Sequence, residues 1–541
     1  MHPGRIAART PDKPAVVMSD TGETLTYRRL DERSLRLARV LYDAGLRPGD
    51  DVVVLAENDP RCIEVYWAAV GSGLYVTAVD HHLQPGEAAY IVDDCDAAAV
   101  ITSAAQAATA TAIVDATPRV RLRLAFGGAV AGHDDYEAAL AAAPAEPVPG
   151  NPPRGKDMLY SSGTTGRPKG VKPPLSDKGI DDGPDPLLAV FGPVYGFDAD
   201  TVYLSPAPLY HAAPLRFAAM VLSVGGTVVV MPRFDAEASL AAIERFRATH
   251  SQWVPTMFVR MLKLPDDVRA RYDISSLRVA VHAAAPCPVE VKRRMIDWWG
   301  PVLHEYYGST EALGVTMIDS HEWLAHPGSV GRSRLGVLRV CDESGAEVPA
   351  GATGLVYFER DVLPFAYHKD ATKTVEAQHP THPNWGTNGD IGHVDADGYL
   401  YLTDRRAFTI ISGGVNVYPQ EIEDALALHP AVLDVAVIGV PDEDLGERVT
   451  AVVRAAPGAT PGPALATELQ DFLGERLSRR KVPRTVDFVD ELPAPRRANS
   501  ANTSCAPATP ADLPGEAGCT AGARVPCWVC GSECQKVRAA A

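Results

Sequence analysis

Over the first hundred residues the hydrophobic pattern switches repeatedly between a two-residue period and a helical one. Residues 14–18 and 24–27 read as short strands around the turn Asp20-Thr21-Gly22. Residues 30–46 carry apolar side chains at helical spacing, and Asp51-Val52-Val53-Val54-Leu55 reads as a buried strand. The same alternation continues with a helix at 62–70, a strand at 74–78, a helix at 85–95 and a strand at 99–102. Strands alternating with helices predict a parallel sheet in a doubly wound α/β arrangement. Residues 104–151 are rich in Ala and Pro and read as a passage towards the next motif.

Further along, residues 173–200 are crowded with Pro, Gly and Asp and read as a surface excursion. Strands follow at 201–204, 227–231 and 277–281, and helices around 217–223 and at 236–250, with a strand and turn at 253–258. From residue 328 to 402 the pattern becomes β, with short strands separated by turns. We place a boundary at Asp404-Arg405. Beyond it, helices at 421–428 and 465–477 and strands at 432–440 and 449–454 predict a small α+β unit. Residues 496–541 show no periodicity, and there are no internal repeats. The predicted fold is α/β. A large N-terminal domain of doubly wound sheets with a β-rich subdomain (1–404) precedes a small mobile α+β domain (405–495) and a disordered tail (496–541).

A length of 541 residues suffices for such a core, and a composition of 46% hydrophobic and 22% charged residues is that of a globular protein. The net charge of −17 argues against wrapping nucleic acid or an anionic membrane. No apolar stretch has the length of a signal peptide at the start or of a membrane span elsewhere, so a cytoplasmic enzyme is expected. Four cysteines (Cys62, Cys95, Cys287, Cys341) are scattered, as in a reduced protein, while five (Cys505, Cys519, Cys527, Cys530, Cys534) crowd the tail.

The most informative stretch is Tyr160-Ser161-Ser162-Gly163-Thr164-Thr165-Gly166-Arg167-Pro168-Lys169-Gly170-Val171-Lys172. Glycines bring backbone N–H groups close to a ligand, and such a nest with hydroxyls and a lysine suits a polyphosphate. The NTPase P-loop pattern is absent. A flexible linker shares the Ser, Thr and Gly content but not the embedded Arg-Pro-Lys-Gly. The stretch resembles the phosphate loop of the adenylate-forming enzymes, which include acyl-CoA synthetases, aryl-CoA ligases, luciferases and peptide-synthetase adenylation domains.

Further elements continue that resemblance in order from residue 25 to residue 492. Tyr306-Tyr307-Gly308-Ser309-Thr310-Glu311 is similar to the family element whose Tyr stacks on adenine, whose Thr contacts the α-phosphate and whose Glu holds Mg²⁺. A carboxylate beside phosphates suits a hard cation, although Ser309 or Thr310 could equally cap a following helix. The resemblance implies that Ala284, Ala285 and Pro286 pack against adenine, with alanines where glycines are common. It places His211, in Pro208-Leu209-Tyr210-His211, at the border of the acyl pocket, with Trp253, Val254, Thr256 and Met257 as neighbours or core. Asp390, in Trp385-Gly386-Thr387-Asn388-Gly389-Asp390, would accept both ribose hydroxyls, as a carboxylate can. Arg405 would contact the ribose. Gly413 and Gly414 would line the pantetheine tunnel of CoA, with Ala407 at a hinge position that is usually charged.

By this resemblance Thr164, Lys169, His211 and Glu311 are the catalytic candidates. Ser161 and Glu311 are the Mg²⁺ candidates, and Ser161, Ser162, Gly163, Thr165, Gly166, Tyr307, Gly308 and Thr310 bind ATP with the residues named above. The implied reaction joins a carboxylic acid to CoA through an acyl-AMP, and the small domain rotates between the steps. The apolar pocket candidates favour a fatty-acid-like substrate. An aryl or steroid side-chain acid, or a nucleotide-binding pseudoenzyme, is the alternative.

The chain departs from the family at its end. The expected Leu-Pro-Arg-x-x-Thr-Gly-Lys, whose lysine bridges carboxylate and α-phosphate, is replaced after Leu492-Pro493 by Ala494-Pro495-Arg496-Arg497-Ala498-Asn499-Ser500 and onward to Cys505. Permitted codons for residues 494–505, read from one base earlier, give Arg-Ala-Pro-Thr-Gly-Lys-Leu-Gly-Lys-His-Glu-Leu. A shifted reading frame therefore accounts for both the missing lysine and the tail cysteines. Cys527-x2-Cys530-x3-Cys534 need not be a zinc knuckle.

Overall fold

The computed structural model describes residues 2–161, 168–183, 185–405, 408–412, 415–442, 445–479 and 481–492. The tail after Leu492 lies outside the described residues, as do 162–167, Arg406, Ala407, Gly413 and Gly414. Residues 1–161 and 169–492 form one compact unit.

Two large sheets organise the N-terminal part. One has six parallel strands in the spatial order 134–135, 122–126, 97–103, 51–55, 75–78 and 156–157. The other has nine strands in the order 332–335, 315–319, 303–308, 279–282, 250–253, 202–205, 227–230, 14–18 and 24–26. Its centre is parallel and its two ends are antiparallel, so the expected doubly wound pattern carries a hairpin at each edge.

Alternation within the strand Asp51–Leu55 explains its unbroken apolar run. Val52 and Val54 face the helices Tyr27–Asp43, Pro60–Gly71 and Ala212–Val224 between the two sheets, whereas Val53 and Leu55 face the outer helix Pro85–Asp94. A parallel strand covered on both faces has no polar side to show. The outer face of the nine-stranded sheet is covered by helices Ala236–Phe246, Pro255–Leu262 and Val289–Trp299. A five-stranded β unit spans 337–405. The small C-terminal domain has its own core, built from Ile410, Ile422, Leu426, Val437, Val453, Leu469 and others.

Three expectations need correction. Residues 173–200 are not a mere surface excursion, because the helix Pro186–Tyr195 buries Phe191 and Tyr195 in the main core. Asp185 caps that helix by accepting from Leu187 N and Leu188 N, Pro186 opens it, and Gly196 closes it at φ 67°. Residues 104–151 hold the strand Leu122–Phe126 and the helix Tyr136–Ala142, not just a passage. At 253–258 the strand stops at Trp253 and the helix Pro255–Leu262 begins at once.

Candidate active site

The strands Leu159–Ser161 and Lys169–Val171 pair antiparallel, with Lys169 opposite Ser161 and Gly170 opposite Tyr160. They bracket the residues expected to form the phosphate loop, Ser162, Gly163, Thr164, Thr165 and Gly166, which lie outside the described residues. A Cβ at Gly170 would stand 2.7 Å from Met158 Cε and 3.0 Å from Tyr160 Cζ, so a side chain there would oblige these neighbours to shift.

The exit strand holds a second segment that the sequence did not single out. Tyr367 bridges Val171, and His368 N donates to Gly170 O at 2.8 Å. This places the Tyr367 ring under Lys169, whose Nζ is 4.9 Å from the ring centroid, and lets Tyr367 OH donate to Glu311 Oε1 at 2.8 Å. Burial, reinforced by the Glu311 charge, raises the Tyr367 phenol pKa, which keeps it protonated as a donor. Two of the catalytic candidates, Lys169 and Glu311, are thereby brought to one place.

A second convergence lies on the strand Leu303–Gly308. Alternation sends Tyr306 towards Phe191 and Phe217, with ring centroids 5.1 and 5.9 Å away. Tyr307 leaves on the opposite side, where its OH donates to Asp390 Oδ2 at 2.5 Å. Asp390 is buried and pairs across the ladder with Arg405. The strand of Tyr307 and the distant hairpin of Asp390 and Arg405 thus place Tyr307, Asp390 and the Arg405 backbone together. Gly308, Ser309 and Thr310 lead through a turn, closed by Ala312 N donating to Ser309 O, into the strand Val315–Asp319. The alternative of a helix cap at Ser309 or Thr310 is therefore not realised.

The strand Val279–His282 runs beside Leu303–Gly308, with His282 opposite Glu305, so the exposed Ala284, Ala285 and Pro286 emerge next to Tyr307. Ala284 has φ 76°, in the region where a Cβ is strained. Glycine there relieves that strain at some cost in unfolded-state entropy, so Ala284→Gly is expected to stabilise the protein by about 0.5–1 kcal/mol. Urea unfolding checks this, and a lowered midpoint would refute it.

Beneath this loop lies a buried group missed in the sequence. Lys292 Nζ meets Glu305 Oε2 at 2.6 Å, with side-chain exposures of 0% and 5%, and lies 5.0 Å from the Trp323 ring centroid. His282 Nε2 is 3.7 Å from the same oxygen, and burial, then the Lys292 charge, lowers its pKa far enough to keep it neutral. One signal was available. Lys292 falls on the apolar stripe of its helix, with Val291, Met295, Ile296 and Trp299.

His211 occupies the N-cap position of the helix Ala212–Val224, exposed, with its ring centroid 4.4 Å from that of Tyr210. Of its expected neighbours, Trp253 and Met257 belong to the outer core and Thr256 is exposed. Gly413 and Gly414 fall outside the described residues.

A model of the AMP-binding enzyme family matches residues 4–363, and one of the AMP-binding enzyme C-terminal domain matches 421–499. The chain belongs to the AMP-binding enzyme family. Among curated relatives of this AMP-binding enzyme, a feruloyl-CoA synthase of Amycolatopsis is 34% identical, covering 91% of this chain and 95% of the relative. An indoleacetate–CoA ligase of Aromatoleum aromaticum is 32% identical over 91% and 93%. The solved structure of ATP-bound MatB from Rhodopseudomonas palustris is 27% identical, with a TM-score of 0.74 and coverage of 92% and 97%. The AMP-binding enzyme is an AMP-forming acid–thiol ligase of the adenylate-forming superfamily, and ATP and CoA fit it as substrates. Among the described residues no helix is long and apolar enough to cross a membrane.

Glu311 also fits the implied Mg²⁺. Mg²⁺ near nucleotides takes one or two carboxylates and fills its shell with phosphate oxygens and water. A single buried carboxylate oriented by Tyr367, whose ring also meets Lys169, is that kind of partial site.

Proposed function

We propose that the chain activates an apolar, fatty-acid-like carboxylic acid with Mg·ATP and passes the acyl group to CoA, with the first step impaired in the chain as written. The observation that carries this reading is the double convergence, Lys169–Tyr367–Glu311 and Tyr307–Asp390, built from the residues expected to hold triphosphate and adenosine.

In the first step a substrate carboxylate oxygen attacks the α-phosphorus. The bond to the β-phosphate oxygen breaks, and pyrophosphate leaves. Lys169, Thr164 and the phosphate-loop N–H groups would bear on the phosphates, and Ser161 and Glu311 would hold the metal, which would neutralise charge on the phosphate oxygens. Tyr307 and Ala284 to Pro286 flank adenine, and Asp390 and Arg405 hold the ribose. Asp390 exchanges the Tyr307 hydroxyl for those of the sugar, which keeps the carboxylate oriented before ligand arrives. In the second step the CoA thiol attacks the acyl carbon and AMP leaves with the anhydride oxygen. His211 borders the acyl group, and Gly413 and Gly414 guide pantetheine. The small domain turns between the steps about a boundary at 404–405.

A second substrate reading, an aryl acid, starts from Tyr306, Phe191 and Phe217, whose rings gather on the face of the strand opposite Tyr307. It is favoured by the substrates that the feruloyl-CoA and indoleacetate relatives are named for. The test uses synthetic acyl-adenylates, which bypass the impaired step. Thioester formation from CoA with an alkyl adenylate is expected, and faster turnover of cinnamoyl-type adenylates would install the aryl reading. No thioester from any adenylate would overturn the ligase reading and leave a nucleotide-binding protein.

A further inference from the structure

The turn between the strand Tyr75–Ala78 and the helix Pro85–Asp94 carries Asp80, His81 and His82, none of which the ligase reaction uses. One ligand atom from each of the three lies within 4.8 Å of the other two. Asp80 Oδ1 accepts from His82 N at 3.0 Å and lies 3.1 Å from His82 Nδ1, which fixes carboxylate and imidazole against each other. The His81 ring stacks obliquely on His82 at 4.0 Å and meets Tyr210 edge-on at 5.4 Å. Its Nδ1 is buried without a hydrogen-bond partner. A buried imidazole nitrogen without a partner, beside a second imidazole and a carboxylate, is an uncompensated loss of hydration unless something else fills the position.

We propose that Asp80, His81 and His82 form a binding site for a borderline-soft divalent cation of the Zn²⁺ class. Two imidazoles and one carboxylate are the donor set such ions take, with a fourth position left for water, whereas Mg²⁺ and Ca²⁺ prefer oxygen alone. His82 is largely open to solvent, so an ion has a way in. The opposite wall is firm. Asn58 holds the turn that carries Tyr210, donating to Ala207 O at 3.1 Å and Met231 O at 2.8 Å and accepting from Leu209 N at 2.7 Å. A bound ion would pin the His81 ring against Tyr210 and so stiffen the neighbourhood of His211. The proposal does not depend on which acid the protein activates.

The test is a Zn²⁺ titration against a chromophoric chelator, in excess Mg²⁺ so that oxygen sites are masked. The full-length chain carries Cys505→Ser, Cys519→Ser, Cys527→Ser, Cys530→Ser and Cys534→Ser, which silences the tail thiolates. One saturable equivalent is expected, weakened at least about 100-fold by His81→Ala or His82→Ala, since losing a ligand costs no less than losing its outer support. Asp80→Asn, close in shape, guards against a folding artefact and is expected to weaken binding too. Glu311→Gln is expected to leave it unchanged. A Zn²⁺-induced rise in melting temperature should appear in the parent and vanish in the His variants. Binding that survives both His substitutions, or no saturable binding by the tail-silenced chain, overturns the proposal.

Discussion

Replacing the residues after Leu492 with the ending read in the shifted frame, Pro-Arg-Ala-Pro-Thr-Gly-Lys, is expected to raise ATP–pyrophosphate exchange by about 10²–10³-fold. The lysine of that ending would place one preorganised positive charge between the attacking carboxylate and the α-phosphate, where negative charge accumulates as the bond forms. No lysine follows Pro493 at the family's spacing in the chain as written, whose next charged residues are Arg496 and Arg497 and whose next lysine is Lys536. Thioester formation from a supplied acyl-adenylate should change far less, because the thiol attacks a carbonyl and, on the proposed reading, other residues hold the leaving AMP. A restored ending with alanine in place of the lysine separates charge from mere replacement of the tail, and it is expected to fall back to the starting rate. Equal exchange rates for the original and restored chains would show that adenylation here does not need this lysine. Sequencing the gene through the codons for Glu491 to Cys505 decides independently whether the ending was displaced by a frame change.

What could be read without coordinates divides along a physical line. The strand Asp51–Leu55 and the helices flanking it announce themselves because burial on one or both faces leaves a periodic trace in neighbouring residues. The helix Pro186–Tyr195 was hidden by the same residues that define it. Asp185, Pro186 and Gly196 are its start and stop signals, yet in a stretch dense with Pro, Gly and Asp they read as breakers. The candidate nucleotide motifs could be picked out because Tyr307, Glu311 and Asp390 sit in local strings. Tyr367 was not, since its role arises only when residues 365–368 fold back on the exit strand of the phosphate loop. No local pattern encodes a pairing across two hundred residues. Asp80, His81 and His82 are adjacent in sequence, but only the contact with Tyr210 and the buried Nδ1 make them a candidate site.

The Lys292–Glu305 pair is expected to give the largest stability effect in the molecule. Taking either partner away leaves a buried charge without compensation, so Lys292→Met or Glu305→Leu should each destabilise by about 3–5 kcal/mol. The double variant should regain most of that loss, because it removes the unpaired charge and puts apolar volume against Trp323, Met295 and Trp299. Chemical denaturation of the four proteins measures the cycle. Additive losses would mean that the two side chains act separately, contrary to their 2.6 Å contact. The pair also lies where stability becomes function. Glu305 stands opposite His282 and two residues before Tyr307, so the ion pair is expected to keep the strand of Tyr307 in register with the strand that ends at the Ala284 loop. Loosening that register should weaken AMP binding in the single variants even at temperatures where they remain folded. The double variant, with the strands again clamped by packing, should bind AMP nearly as the parent does. A double variant that is stable yet fails to bind AMP would instead mean that the nucleotide loop needs the Glu305 charge itself.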